Sequence, residues 1–307
     1  MMPSRPASPI VPPRLHLPPD PARPLSPGLS LALPETAARH VQVLRLQPDA
    51  PVLLFDGLGG QWTASIQTMT RRDVVVRLEA LEAVERELPM RVTLAVCMPS
   101  NDRMDDLVEK ATELGVDAIV PLMGSRSVLK LQGERASRKQ AHWQAVAVAA
   151  CEQSGRNRIP VVHPVMTLES FIDGTREGRL PASASREGLG EAAPIRWQLS
   201  LAADAPPLPT AFTAARVSAG AHFIILSGPE GGLTEAEQAA AAQAGWAPVS
   251  LGPRVLRADT APLAALAALG TWAPQSAGLS AGLSAGHPAP QSARASGQAP
   301  APATRCP

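Results

Sequence analysis

Two short segments carry most of the chemistry available to this chain. The first, His222 to Glu237, reads H-F-I-I-L-S-G-P-E-G-G-L-T-E-A-E. Its apolar run Phe223 to Leu226 predicts a buried strand, and Gly228, Gly231 and Gly232 follow within five residues. Glycines of this kind let backbone amides approach a ligand without a Cβ in the way. Thr234 and Glu237 stand at capping-box spacing, which marks the start of a helix. A second loop, L-G-P-R-V-L-R-A-D-T, leaves another strand and enters the last helix. Two such loops from adjacent strands would frame a small-molecule cleft. No Gly-Lys-Ser/Thr follows the glycines and no G-x-G-x-x-G is present, so phosphate cradling is disfavoured. An ordinary strand-to-helix turn would use the same residues.

The second segment is A-C-E-Q-S-G-R-N-R-I-P, Ala150 to Pro160. Glu152 and Arg156 are one helical turn apart, and Arg158 follows as the chain leaves the helix. Such donors suit recognition of a base or a phosphate. A Glu-Arg pair that merely closes a helix is the alternative, worth a few tenths of a kcal/mol. Between Ser125 and Arg158 seven cationic side chains (Arg126, Lys130, Arg135, Arg138, Lys139, Arg156, Arg158) face only Glu134 and Glu152. With Arg71 and Arg72 they could track a phosphate backbone, or simply form a solvated face.

Composition narrows the classes. The formal charge of the 307-residue chain is +1, so no global basic field announces a nucleic acid. With no Tyr, four Phe and five Trp, an open aromatic stacking surface is not expected. Cys97, Cys151 and Cys306 are too scattered for a disulfide framework or a zinc site, and the six histidines show no ligand spacing, so no metal is expected. There is no G-x-S-x-G elbow for serine hydrolysis. No apolar run reaches the ~18 residues a membrane helix needs, and the first residues lack a signal-peptide core. The expectation is a soluble cytoplasmic protein.

These residues need a scaffold, and the periodicities supply two. Glu35 to Leu46 reads as a helix that becomes extended. Strands are expected at Pro51–Phe55, Gln61–Thr68 and Asp73–Leu81, with the turn Asp56 to Gly60 joining the first two. That is a small strand-rich domain over 13–82, preceded by a disordered tail at 1–12. A charged linker covers 83–90. Over 91–273 strands and helices alternate: Val92–Cys97, a helix capped by Asn101 or Asp102 with Met104, Leu107, Val108, Ala111 and Leu114 on one face, Asp117–Leu122, and a long helix Arg135–Ser154 buried along Trp143, Val146, Ala147 and Ala150. Alternation of this kind predicts an α/β domain with a largely parallel sheet. Residues 174–197 read as a loop, strand structure resumes near Gln198–Ala202, and 274–307 as a low-complexity tail.

Four motifs in order, K-A-T-E-L-G-V (Lys110 to Val116), E-Q-S-G-R-N-R-I-P, L-S-G-P-E-G-G and L-G-P-R-V-L-R-A-D-T-A (Leu251 to Ala261), resemble those of the RsmE-type 16S ribosomal RNA (uracil-N3) methyltransferases of the SPOUT superfamily. His40 to Leu46 and Leu54 to Gly57 are similar to that family's PUA-like domain. The resemblance covers about Pro13 to Trp272. It implies a small PUA-like β-barrel followed by a SPOUT-type parallel sheet with helices, knotted at its C-terminal end, and a homodimer. It further implies S-adenosyl-L-methionine as cofactor and N3 of a uridine in 16S rRNA of the 30S subunit as target. Carried over, the cofactor residues are Leu201, Leu226, Gly228, Pro229, Glu230, Gly231, Gly232, Leu251, Gly252, Arg254 and Leu256. Arg156 and Arg158 are the expected stabilisers of charge on the uracil, with Glu152 positioning them or the base. Arg14, Arg45, Arg71, Arg126 and Lys130 are the expected RNA contacts. The chain departs from the family at Met98 to Asn101, where M-P-S-N replaces a Gly- or Lys-containing turn. It departs again at Pro13 to Leu17, where Arg14 is kept without the neighbouring aromatics.

Overall fold

A computed structural model describes residues 12–179, 193–217 and 220–272. The expected tail at 274–307 lies outside the described residues, as do 1–11 of the N-terminal tail and 180–192 of the 174–197 loop. The first part of the chain forms β1 (Arg14–His16), β2 (Ser30–Ala32), α1 (Glu35–Val43), β3 (Pro51–Phe55), β4 (Gln61–Met69) and β5 (Val74–Glu82). They make one sheet in the order β1-β3-β4-β5-β2. Alternation does what it should: Val74, Val76 and Leu78 of β5 turn inward while Arg77 and Glu79 face out. Edge strands β1 and β2 both send leucines, Leu15 and Leu31, into the same core as Trp62 and Ile66, so the sheet curls over it. Among the described residues no ladder joins β1 to β2, so the hydrogen-bonded sheet is open between them. Both edge strands escaped sequence reading because three residues are too few to show a period.

The second part is built on a parallel sheet. Its elements are β6 (Arg91–Cys97), α2 (Asn101–Glu113), β7 (Ala118–Met123), α3 (Gly133–Ser154), β8 (Val161–Val162), β9 (Met166–Thr167), α4 (Leu168–Arg176), β10 (Ile195–Leu199), α5 (Leu208–Ala214), β11 (His222–Ser227), α6 (Glu235–Gln243), β12 (Ala247–Val249) and α7 (Thr260–Trp272). Strand order is β12-β10-β11-β6-β7-β8, with β9 also pairing β7, and every ladder is parallel. All six residues of β11 are buried, as a strand covered on both faces requires. Phe223 and Ile225 enter one core with Val92, Leu94, Trp143 and Leu266. Ile224 and Leu226 enter another with Ala95, Cys97, Phe171 and Ala241.

Four expectations shift in detail. The residue capping α2 is Ser100, without a side-chain cap bond, and Leu114 falls off the buried stripe at 37% exposure. On α3, Cys151 is buried while Val146 only packs partly against the core. Most consequential, β11 and β12 are not neighbours: β10 lies between them, so three strand ends meet rather than two.

His222, at the start of β11, is buried with Nε2 2.9 Å from Thr93 Oγ1. Burial, and secondarily the Arg91 cation, push its pKa down to about 4. In the unfolded chain the imidazole takes up its proton near pH ~6.5. The unfolded state thus binds more protons between these values. The stability from neutral His222 is complete above pH ~6.5 and is lost as pH falls toward 4. Urea midpoints across that window should drop more steeply in the unaltered chain than in His222→Gln. Parallel slopes would contradict the assignment.

Candidate functional site

In an open parallel sheet the ligand crevice lies beyond the carboxyl ends of the strands. Here β10, β11 and β12 deliver their following loops to one place. The loops surround a cavity of about 620 Å³, within the range of small-molecule sites. Its wall combines Gln198 to Ala202 at and after the end of β10, Ser227 to Leu233 except Gly231 at and after the end of β11, and Leu251 to Ala258 except Pro253 after β12, with Arg103 from the first turn of α2. Leu201 and Val255 stand at its rim 71% and 79% exposed. Apolar side chains left open around a concavity are what a ligand would cover.

Local bonds hold each loop. Ser200 Oγ accepts from Ala202 N at 3.1 Å, and Ser250 Oγ from Gly252 N at 3.2 Å. The loops after β10 and β12 are also zipped together, Leu208 N donating to Ser250 O and Ser250 N to Pro206 O, each at 2.9 Å. Gly252 takes φ 101°, a conformation that a side chain resists. The glycine loop is fastened from behind. Thr234 and Glu237 form the expected capping box. The same carboxylate accepts Ser125 N at 2.7 Å. Arg126 Nη1 donates to Gly231 O at 2.8 Å and its stem lies against that glycine. Burial alone would raise the Glu237 pKa, but the Ser125 and Thr234 donors outweigh it and hold the group ionised.

Of the residues expected to hold a cofactor, Leu201, Gly228, Pro229, Glu230, Gly232, Leu251, Gly252, Arg254 and Leu256 line the cavity. Leu226 does not, because it points into the core. Nor does Gly231, whose carbonyl faces Arg126. Sequence reading missed Arg103, Gln198, Gln238 and Arg257, which also line it. Arg257 sits inside the L-G-P-R-V-L-R motif and could have been taken from there; Arg103 had no local signal.

The residues expected to be catalytic line none of this cavity. Arg156 is 4% exposed. Its Nε donates to Glu87 Oε1 at 2.9 Å, its Nη2 to Glu87 Oε2, and its Nη1 to Thr112 O at 2.8 Å. Burial opposes its charge, but Glu87 outweighs that and keeps the guanidinium protonated. Arg158 Nε donates to Glu85 at 2.7 Å, and Glu152 Oε1 accepts His16 N at 2.8 Å. Among the expected RNA contacts, Arg14 is half-buried, bonded to Gln61, Asn157 and the Arg156 carbonyl, and stacked 4.9 Å over Phe55. Arg45, Arg71 and Lys130 are exposed; Arg126 is exposed but engaged with Gly231.

Comparison with known proteins agrees with this layout. Residues 86–270 match an RNA methyltransferase domain family and residues 33–79 an RNA methyltransferase PUA domain. Ribosomal RNA small subunit methyltransferase E of Bacillus subtilis is 31% identical over 75% of this chain and 84% of its own. The protein of that name from Synechocystis is 33% identical over 76% and 70%. The crystal structure of the Neisseria gonorrhoeae ribosomal RNA small subunit methyltransferase E, bound to S-adenosyl methionine, superposes with a TM-score of 0.72 at 33% identity, covering 85% of this chain and 98% of that one. The chain belongs to the RNA methyltransferase family. In this RNA methyltransferase no described helix is long and apolar enough to cross a membrane, and no described group of His, Cys, Asp or Glu could hold a metal ion. Neither buried thiol is poised for chemistry, since burial pushes Cys97 and Cys151 up to about 12.

The capping box makes the glycine loop's support testable without ligand. Thr234→Ala removes the side-chain acceptor for Glu237 N and should cost about 1 kcal/mol in urea unfolding. Glu237→Ala keeps that bond but removes the carboxylate that accepts from both Thr234 N and Ser125 N, and should cost more. An equal or smaller loss for Glu237→Ala would remove the Ser125 latch from the account.

Proposed function

We propose that this RNA methyltransferase moves a methyl group from S-adenosyl-L-methionine to N3 of one uridine in 16S rRNA of the 30S subunit. The observation that carries the reading is the cavity between three strand-end loops, in a chain that shares its fold and a third of its residues with a small-subunit methyltransferase crystallised with that cofactor. The residues fit the group. Leu201, Leu251 and Leu256 offer apolar walls to the adenine, the Gly228, Gly232 and Gly252 backbones offer close polar contacts, and Glu230 suits a ribose hydroxyl. Bound there, the cofactor supplies an electrophilic sulfonium methyl.

The protein's remaining task is to manage the uracil. Its N3 proton must leave, and negative charge then spreads over the ring. A positioned cation stabilises such charge. Arg103, Arg254 and Arg257 line the cavity, whereas Arg156 and Arg158 do not, so the electrostatic role expected of the latter pair passes to the former. Arg103 is the best placed of the three to address a base, because it comes from α2 rather than from a cofactor loop; Asp259 lies 3.9 Å from it. N3 lies on the Watson–Crick edge, so the uridine must be unpaired or extruded. Exposed Arg45, Arg71 and Lys130 are proposed phosphate contacts, which hold register without reading sequence. The reading includes a PUA-like RNA-holding unit over 13–82, a catalytic unit over 91–273 knotted at its C-terminal end, a homodimer and a cytoplasmic location.

The test is transfer of tritium from labelled cofactor to 30S subunits lacking the modification. Label at N3 of a single uridine is expected; label on another atom, or none, refutes the proposal. Arg103→Ala should lower kcat by about 10²-fold with cofactor affinity within a few-fold of normal. A loss of cofactor binding instead would move Arg103 from base to cofactor.

A further inference from the structure

The charged stretch after β5 was expected only to link two domains, and the Ala150–Pro160 motif to serve the reaction. In the folded chain each is the other's partner. Glu87 takes Arg156 in a bidentate pair and Glu85 takes Arg158, both through guanidinium nitrogens. Arg86 Nη1 donates to Gly155 O at 2.8 Å, and Asn157 Nδ2 to Val84 O at 2.7 Å. Gly155 makes this turn possible by taking φ 83° at the end of α3. The same few residues also grip the small sheet. Asn157 Oδ1 and Arg156 O accept from Arg14 on β1, Glu152 accepts His16 N, and Ile159 N donates to Gly57 O in the β3–β4 turn, where Leu58 bridges Arg158.

The side chains of Arg156, Asn157 and Arg158 thus bond the linker or the small sheet, with Arg156 Nη1 turned instead to Thr112 O on α2. Asn157 is fully buried and Arg156 nearly so. Breaking one side of such a pair strands a buried charge, so the arrangement tolerates few alternative geometries. We propose that Glu85, Glu87, Arg156, Asn157 and Arg158 are positioning residues: an ionic clasp that fixes the small sheet against the large one and so sets where a bound RNA enters the cofactor cavity. None of them touches reactants. The role rests on the RNA methyl transfer proposed above, and its effect falls on substrates long enough to contact both sheets.

Two measurements on the full chain test it, with Arg156→Lys and, as the variant least threatening to folding, Arg158→Ala. Arg158 keeps 24% of its side-chain area exposed. Hydrogen exchange needs no activity. The His16 and Ile159 amides should exchange about tenfold faster in both variants, while β6 and β11 amides keep their protection. Unchanged exchange at His16 and Ile159 overturns the clasp. In kinetics, KM for a 16S rRNA fragment spanning both sheets should rise about tenfold with kcat little altered, and KM for a short uridine oligonucleotide should stay put. A fall in kcat on both substrates with KM unchanged would return Arg156 to the chemistry and overturn the proposal. If the unaltered chain transfers no methyl group to any RNA, the functional reading fails while the exchange data still decide the clasp.

Discussion

Parallel pairing of β10, β11 and β12 is the constraint on which the site depends. Because all three run the same way, the loops that follow them leave from one edge of the sheet, and their backbones have to share one volume. The register is held by burial. Phe223 and Ile225 face one core and Ile224 and Leu226 the other, so slipping β11 by one residue would exchange both sets. A glycine-rich loop on a loosely held strand would be only a turn. On this strand it becomes one wall of a cavity whose other walls arrive from β10 and β12.

The second organising force is polar. Apolar packing builds each sheet's own core, and the clusters of the small sheet and the large sheet share no residue. What joins them around α3 is a set of ion pairs and hydrogen bonds, from Arg14 and His16 on one side and the linker glutamates on another. Hydrogen bonds and charge pairs are directional where hydrophobic contacts are not, so they fix an orientation as well as a separation. The same economy appears behind the glycine loop, where Glu237 caps α6 and ties it to Ser125.

Much of this was legible in the sequence. Strands β3 to β7 and β11, helix α3 and the capping box at Thr234 follow from alternation, helical stripes and turn chemistry, all of which are local. Nine of the eleven expected cofactor residues line the cavity because they sit on strand-end loops that motif spacing already marked. What local patterns do not reveal is non-local. Glu152, Arg156 and Arg158 have the residue types of a catalytic cluster, and nothing in their own segment reveals that Glu85 and Glu87, some seventy residues earlier, neutralise two of them. Arg103 was overlooked for the converse reason: only the tertiary fold brings the start of α2 to the cavity. The insertion of β10 between β11 and β12 is likewise a matter of topology, which periodicity does not encode.

The most direct test of the account is a crystal structure of the chain with S-adenosyl-L-methionine. The account predicts the ligand between the loops after β10, β11 and β12, its adenine against Leu201 and Leu251 and its methyl directed toward Arg103. Ligand bound at any other surface, or a fully occupied cofactor whose methyl points away from Arg103 and toward Arg156, would contradict it.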